Sequence, residues 1–114
     1  MTKTADTPTV LPELDIKLPG EATADLPAAD EAILSALMIR ALRAHADSVA
    51  GHRQAHSVSV SVDLTGTEFQ GGDLRFLSEV DRQTRTLVFM NGTLRSGESV
   101  LLKATAIFRL SEAG

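Results

Sequence analysis

The sequence predicts a small α+β domain in which one very apolar helix is wrapped by a curved antiparallel sheet. From Ala28 to Val49 the chain contains no proline or glycine and is rich in good helix formers. From His56 onward apolar residues recur at every second position, which is typical of strands. Short connections separate the later strand patterns, as in hairpins. Because the helix is apolar around most of its circumference, it needs cover on several sides, which a curved sheet provides.

Length and composition fit one ordinary globular domain. The chain has 114 residues, of which 43% are hydrophobic and 23% are charged. No apolar run approaches the ~20 residues that a membrane-spanning helix needs, so no membrane partner is predicted. The absence of cysteine excludes disulfides and cysteine-based metal sites. The polar N-terminus lacks the pattern of a secretory signal, which favours a cytoplasmic protein.

The distribution of charge argues against a nucleic-acid partner. The net charge is −4, and residues 1–31 carry seven acidic side chains against two lysines, so the rest of the chain is nearly neutral. There are four phenylalanines and no tyrosine or tryptophan. Nucleic-acid binding needs a basic face and often uses stacking aromatic side chains, and this sequence predicts neither.

The N-terminal segment differs in amino-acid composition from the rest of the chain. Residues 1–27 contain all four prolines, mixed with threonine and acidic residues. Proline fixes φ and donates no backbone hydrogen bond, so we expect this segment to be extended or partly disordered, with at most a short strand at Glu13–Leu18. The folded domain is then predicted to cover residues 28–111.

The start of the helix carries signals of its own. Pro27 suits a first helical position and Asp25 is the predicted cap. Asp30 and Glu31 complement the positive end of the helix dipole. Gly51 marks the end of the helix.

One narrow polar stripe runs along the predicted helix. Arg40, Arg43 and Asp47 are spaced i, i+3 and i+7, which places them on one face, while apolar residues cover most of the remaining circumference. Leu37 is expected near the middle of the buried side.

The second half of the chain predicts four strands. In residues 56–64 the valines point one way, and Ser57, Ser59 and Ser61 point the other way. Alternating patterns follow in residues 73–82, 85–94 and 99–110. The predicted arrangement is a four-stranded antiparallel meander.

Three segments carry a resemblance to a known family. They are Ser59–Leu64 after the helix, Gly71–Leu74 at the entry to the next strand, and the last hairpin from Thr86 to Phe108. In this order and spacing, across about Asp30 to Leu110, they resemble the hot-dog fold of acyl-CoA thioesterases, the phenylacetate-pathway type in particular. The resemblance implies a homodimer or higher homo-oligomer with sheets joined edge to edge. It also implies that acyl-CoA or acyl-carrier thioesters bind between the subunits.

The usual catalytic motif of that family is missing. Family members open the helix with a His-Gly-Gly turn and place a carboxylate about two turns later. Here Asp30-Glu31-Ala32 occupies the first place and Ile39 or Arg40 the second. The resemblance therefore implies a thioesterase-like protein that binds acyl thioesters and hydrolyses them slowly or not at all. The alternative is a non-catalytic dimer for acyl binding or assembly.

Four residues are candidates for the site. Asp30 and Glu31 lie where free helix amides and a carboxylate could serve acyl transfer, although simple capping explains the same residues. Arg40 and Arg43 could bind the phosphates of coenzyme A or of a pantetheine carrier, because guanidinium groups suit phosphate. Alternatively they form only a solvated stripe, with Asp47 paired to Arg43.

The sequence predicts no cofactor and no metal. His45, His52 and His56 run from the helix through a loop into a strand, so they do not converge, and no acid cluster lies near them.

Overall fold

The computed structural model describes residues 11–112, which form one helix and six strands. The elements, in chain order, are β1 (Asp15–Leu18), β2 (Glu21–Leu26), α1 (Glu31–Val49), β3 (Arg53–Leu64), β4 (Gly72–Gln83), β5 (Leu87–Ser96) and β6 (Ser99–Glu112). Within the described range, no helix is long and apolar enough to cross a membrane.

All six strands belong to one antiparallel sheet, in the order β1-β2-β4-β5-β6-β3. Strands β4, β5 and β6 form the predicted meander. The predicted place of β3 was wrong, because β3 pairs with β6 and not with β4. The connection from Thr65 to Gly71 is longer than a tight hairpin, so it does not require its two strands to be neighbours.

The sheet contains a strand, β2, that the sequence did not predict. Strand β2 pairs with β4 from Glu21 opposite Leu77 to Leu26 opposite Gly72, so it is an interior strand. Its alternate residues Ala22, Ala24 and Leu26 are buried. Two of these three residues are alanines, which give only a weak pattern of hydrophobic alternation. The sequence therefore predicted at most the strand that corresponds to β1, and not β2. The predictions for residues 1–10 lie outside the described residues.

The helix starts later than predicted. Asp30, not Asp25, is the N-cap, and its Oδ1 accepts the N–H of Ile33 at 3.0 Å. Pro27 lies outside the helix, because the chain up to Leu26 is held in β2. The helical residues that are buried are Leu34, Leu37, Met38, Ala41, Leu42 and Ala46. The predicted burial of Leu37 is confirmed.

Outside the buried face, part of the helix is near the N-terminal segment and part is exposed to solvent. Leu11 and Leu14 pack against the core, and Arg40 donates a hydrogen bond to the carbonyl of Pro12 at 3.4 Å. Arg40, Arg43 and Asp47 are exposed, which confirms the polar stripe.

The prediction that the serines of β3 share one face was wrong for Ser57. A register shift between Ser57 and Ser59 places Ser57 opposite the buried Phe108, on the helix side of the sheet. Ser59 and Ser61 keep the predicted outer face, opposite Ile107 and Thr105.

Candidate functional site

An open cleft of about 760 Å³ lies at the N-terminal end of α1. One wall is the start of the helix, and the other is the loop that follows β3. The lining residues are Ala28, Ala29, Asp30, Glu31, Leu34, Gly66, Thr67, Glu68, Phe69 and Gln70. Leu34 and Phe69 are buried, so they give the cleft an apolar base.

Two backbone amides at the helix start are available to a ligand. The first N–H groups of any helix have no partner within the helix. The Asp30 carboxylate occupies the N–H of Ile33, and the Asp30 carbonyl accepts the first helical hydrogen bond from Leu34 at 3.1 Å. Among residues 11–112 the N–H groups of Glu31 and Ala32 have no partner, and they lie at the positive end of the helix dipole, where they can polarise a carbonyl oxygen.

The cleft has an acidic lining. Asp30, Glu31 and Glu68 contribute carboxylates, and none of the ten lining residues is a lysine, arginine or histidine. The structure therefore brings the two predicted catalytic residues together and adds Glu68. The sequence does not connect Glu68 with the helix start, because the approach of the loop depends on the pairing of β3 with β6.

The two predicted phosphate ligands lie elsewhere on the helix. Arg40 is ten residues after Asp30, which corresponds to about 15 Å along the axis. It lines a separate groove of about 300 Å³ beside Leu14 and Ile16. Arg43 donates a hydrogen bond from Nη2 to Ser57 Oγ at 2.8 Å, beside the exposed edge of the sheet. Within one chain, neither arginine reaches the cleft.

The predicted pairing of Arg43 with Asp47 is replaced by two other contacts. Arg43 bonds to Ser57, and Asp47 Oδ1 accepts the backbone N–H of Ala55 at 3.1 Å. The carboxylate of Asp47 thereby ties the end of the helix to the start of β3.

The three histidines have separate partners. His45 Nδ1 lies 2.8 Å from Ser78 Oγ, His52 pairs with Glu112 at 2.9 Å, and His56 lies 2.7 Å from Ser111 Oγ. Among residues 11–112, no group of three or more potential ligands could hold a metal ion.

The contact between His45 and Ser78 was not predicted from the sequence. The pair borders a small cavity of about 90 Å³ under the β1–β2 turn, with Ile16, Leu18 and Phe76 among its apolar walls. Burial in these apolar surroundings lowers the pKa of His45 below its ordinary value of 6.5. The imidazole therefore stays neutral at a pH where an exposed histidine is partly protonated.

This lowered pKa predicts a loss of stability in mild acid. Below pH 6.5 the unfolded chain takes up a proton at residue 45 more readily than the folded chain does, so the free energy of unfolding falls as the pH falls towards the folded pKa of His45. Urea titrations between pH 7.5 and 5.5 measure this slope. His45→Gln should flatten it, whereas His52→Gln should leave it unchanged. Equal slopes for the wild type and His45→Gln would contradict the assignment.

Solved structures share this fold over most of the chain. A Streptococcus mutans protein solved bound to acetyl-CoA matches with a TM-score of 0.76 and 13% identity, over 96% of this chain and 98% of that one. A hypothetical thioesterase from Streptococcus pneumoniae with coenzyme A matches with a TM-score of 0.74 and 15% identity, over 88% of each chain. A putative thioesterase from Ralstonia eutropha, related to phenylacetic acid degradation, matches with a TM-score of 0.69 and 15% identity, over 78% of this chain and 74% of that one.

These comparisons confirm the predicted fold. The chain has a hot-dog fold like that of the thioesterase structures, with one helix packed on a six-stranded antiparallel sheet. No protein-family model matches the sequence, and no curated protein matches it. At 13–15% identity, the likeness concerns the fold alone.

Proposed function

We propose that this chain is a thioesterase-like protein that binds acyl-CoA or acyl-carrier thioesters in the cleft at the start of α1. The observation that supports this most directly is the open cleft of about 760 Å³, one wall of which is the start of α1. Structures that share this fold were solved with coenzyme A and with acetyl-CoA. The apolar base at Leu34 and Phe69 suits an acyl chain, and the amides suit its carbonyl oxygen.

The chemistry that this cleft supports is slow hydrolysis. The N–H groups of Glu31 and Ala32 polarise the thioester carbonyl. A carboxylate takes a proton from the attacking water, the C–S bond breaks, and the carboxyl group returns the proton to the departing thiolate. Asp30 already accepts the Ile33 N–H, so one oxygen of its carboxylate is engaged in capping the helix. Glu31 is exposed in the first turn of the helix and is the better candidate for this role.

The position two turns further along the helix offers no second carboxylate. Ile39 is half-buried, and Arg40 turns towards Pro12. Positioned general-base catalysis contributes about 10²–10⁴-fold to a rate. An enzyme without that contribution retains only the polarisation of the carbonyl and the carboxylates at the helix start.

We therefore expect little or no thiol release from short and medium acyl-CoA substrates. Any residual rate should fall in Glu31→Gln and in Asp30→Asn. The second variant is informative because asparagine also caps helices well, so it removes the charge without removing the cap. Glu98→Gln, in the turn between β5 and β6, is the matched control. Fast turnover that neither variant changes would contradict this assignment, and Glu68 would be tested next.

A non-catalytic role in acyl binding is the second candidate function. It is favoured by the capping bond of Asp30, which gives one of the two carboxylates a structural task. Calorimetry with acetyl-CoA separates the two functions. Binding without turnover supports the second function, and binding with turnover that depends on Glu31 supports the first. No binding at all would contradict both.

We also propose that the protein is a homodimer joined through β3. Among residues 11–112, this strand of twelve residues lies at an end of the sheet and pairs only with β6, and such a long edge invites pairing with another chain. We expect light scattering during size exclusion to give about twice the mass of the 12.1 kDa chain at micromolar concentration. A monomer mass there would contradict the proposed assembly.

A further inference from the structure

The loop between β3 and β4 is fixed at both of its ends. Thr65 Oγ1 donates a hydrogen bond to the carbonyl of Val100 at 2.7 Å, and the Thr65 N–H donates to the carbonyl of Leu101 at 3.2 Å. At the other end, a Cβ atom on Gly71 would lie 3.3 Å from the backbone nitrogen of Ala28, so the loop passes close to the segment that precedes α1. These contacts hold the loop against the start of the helix.

Phe69 turns inward from the middle of this loop. It is 6% exposed, whereas Glu68 and Gln70 on either side of it are exposed. Phe69 belongs to the hydrophobic core cluster, as Leu34 of α1 does, and both residues line the cleft. The loop therefore contributes an aromatic ring to the base of the cleft, beside an aliphatic side chain of the helix.

The base of the cleft lies close to the helix amides that suit a thioester carbonyl. Leu34 follows Ala32 by two residues and Glu31 by three, which corresponds to about 3–4.5 Å along the helix axis. One turn further on, Leu37 is fully buried in the same core cluster. Because buried side chains are close-packed, we expect an acyl chain that starts at these amides to stop at Leu34 and Phe69.

We propose that Phe69 limits the ligand of the cleft to short acyl chains. A chain whose carbonyl oxygen lies at the amides of Glu31 and Ala32 reaches the ring of Phe69 after a few carbon atoms, and any further carbon atoms remain in water. The substrate class is then the short-chain acyl thioesters, from acetyl to butyryl, and Phe69 is the residue that sets this specificity. The ligand in this inference rests on the proposed function.

Calorimetry with acetyl-CoA, butyryl-CoA and octanoyl-CoA tests this limit. The affinity of the wild type should rise from acetyl-CoA to butyryl-CoA, and octanoyl-CoA should bind no more tightly than butyryl-CoA. Phe69→Ala removes the ring, so this variant should bind octanoyl-CoA about tenfold more tightly than butyryl-CoA, because the burial of two further methylene groups gives a difference of that size. Phe69→Leu should give a smaller gain in the same direction, and it serves as the test if the alanine variant does not fold.

Phe76→Leu is the matched control for Phe69→Leu. Phe76 is a buried phenylalanine of β4 that lines the small cavity under the β1–β2 turn and does not line the cleft. The control variant should lose stability without any change in the preference for chain length. If both leucine variants gain affinity for octanoyl-CoA equally, a general loosening of the core causes the gain, and the role of Phe69 is overturned.

The remaining outcomes separate this inference from the proposed function. A wild type that binds octanoyl-CoA more tightly than butyryl-CoA would overturn the limit on chain length and leave the proposed function in place. The same holds for a folded Phe69→Ala variant that gains no affinity for octanoyl-CoA. A wild type that binds none of the three thioesters would refute the proposed function, and the inference with it.

Discussion

Replacing Leu37 with alanine is expected to lower the free energy of unfolding by about 2–5 kcal/mol. The Leu37 side chain, in α1, is fully buried. It belongs to the hydrophobic core cluster of the described residues. The substitution removes apolar contacts and leaves a cavity that its neighbours fill only in part. Because the total stability of such domains is about 5–15 kcal/mol, urea unfolding should show a large shift of the midpoint.

The matched control is the same substitution on the surface. Leu18 in β1 is 57% exposed, so Leu18→Ala should change the free energy of unfolding by no more than about 0.5 kcal/mol. Equal losses for the two variants would show that α1 does not bury the face on which Leu37 lies.

The helix could be predicted because its pattern depends on local sequence. Leu37 and Met38 are buried, and Arg40, Arg43 and Asp47 are exposed, as the spacing indicated. The beginning of the helix could not be predicted in the same way. Asp25 and Asp30 are both acceptable caps by composition, and the pairing of β2 with β4 decides between them, because it holds Asp25 opposite Asp73 in the sheet.

The order of the strands in the sheet could not be predicted from the alternation of apolar and polar residues. A period of two identifies a strand and its faces, but it does not say which neighbour the strand has. The position of β3 beside β6 is a tertiary choice, and the register shift after Ser57 follows from that pairing. The shift moves one serine to the helix side, where it meets Arg43.

In the candidate site, too, the features set by local sequence could be predicted and those set by tertiary pairing could not. Asp30 and Glu31 were recognisable because a helix start is visible in the sequence. The approach of Glu68 and the contact of His45 with Ser78 required the folded sheet, since each joins segments that are more than 30 residues apart. Side chains that meet through tertiary pairing leave no periodic signal in a single sequence.

The second large effect is expected at Gly92, where side chains of the helix pack closely against β5. A Cβ atom at this position would lie 2.6 Å from Met38 Cε and 2.7 Å from the carbonyl oxygen of Leu77. The methionine can bend away, but the backbone oxygen belongs to the adjacent strand β4 and cannot move without disturbing the pairing with β5. Glycine in a strand interior often marks such an approach of another backbone group.

Gly92→Ala should therefore cost about 1–3 kcal/mol, the usual range for overpacking a core. In a domain of about 100 residues, that corresponds to a melting temperature lower by several degrees for each kcal/mol. Thr93→Ala, the next residue of β5, should have a much smaller effect, because Thr93 faces the outer side of the sheet. Adding Met38→Ala relieves only the side-chain clash, so the double variant should be destabilised by less than the sum of the two single changes. A melting temperature for Gly92→Ala equal to that of the wild type would show that α1 sits further from β5 than this packing requires.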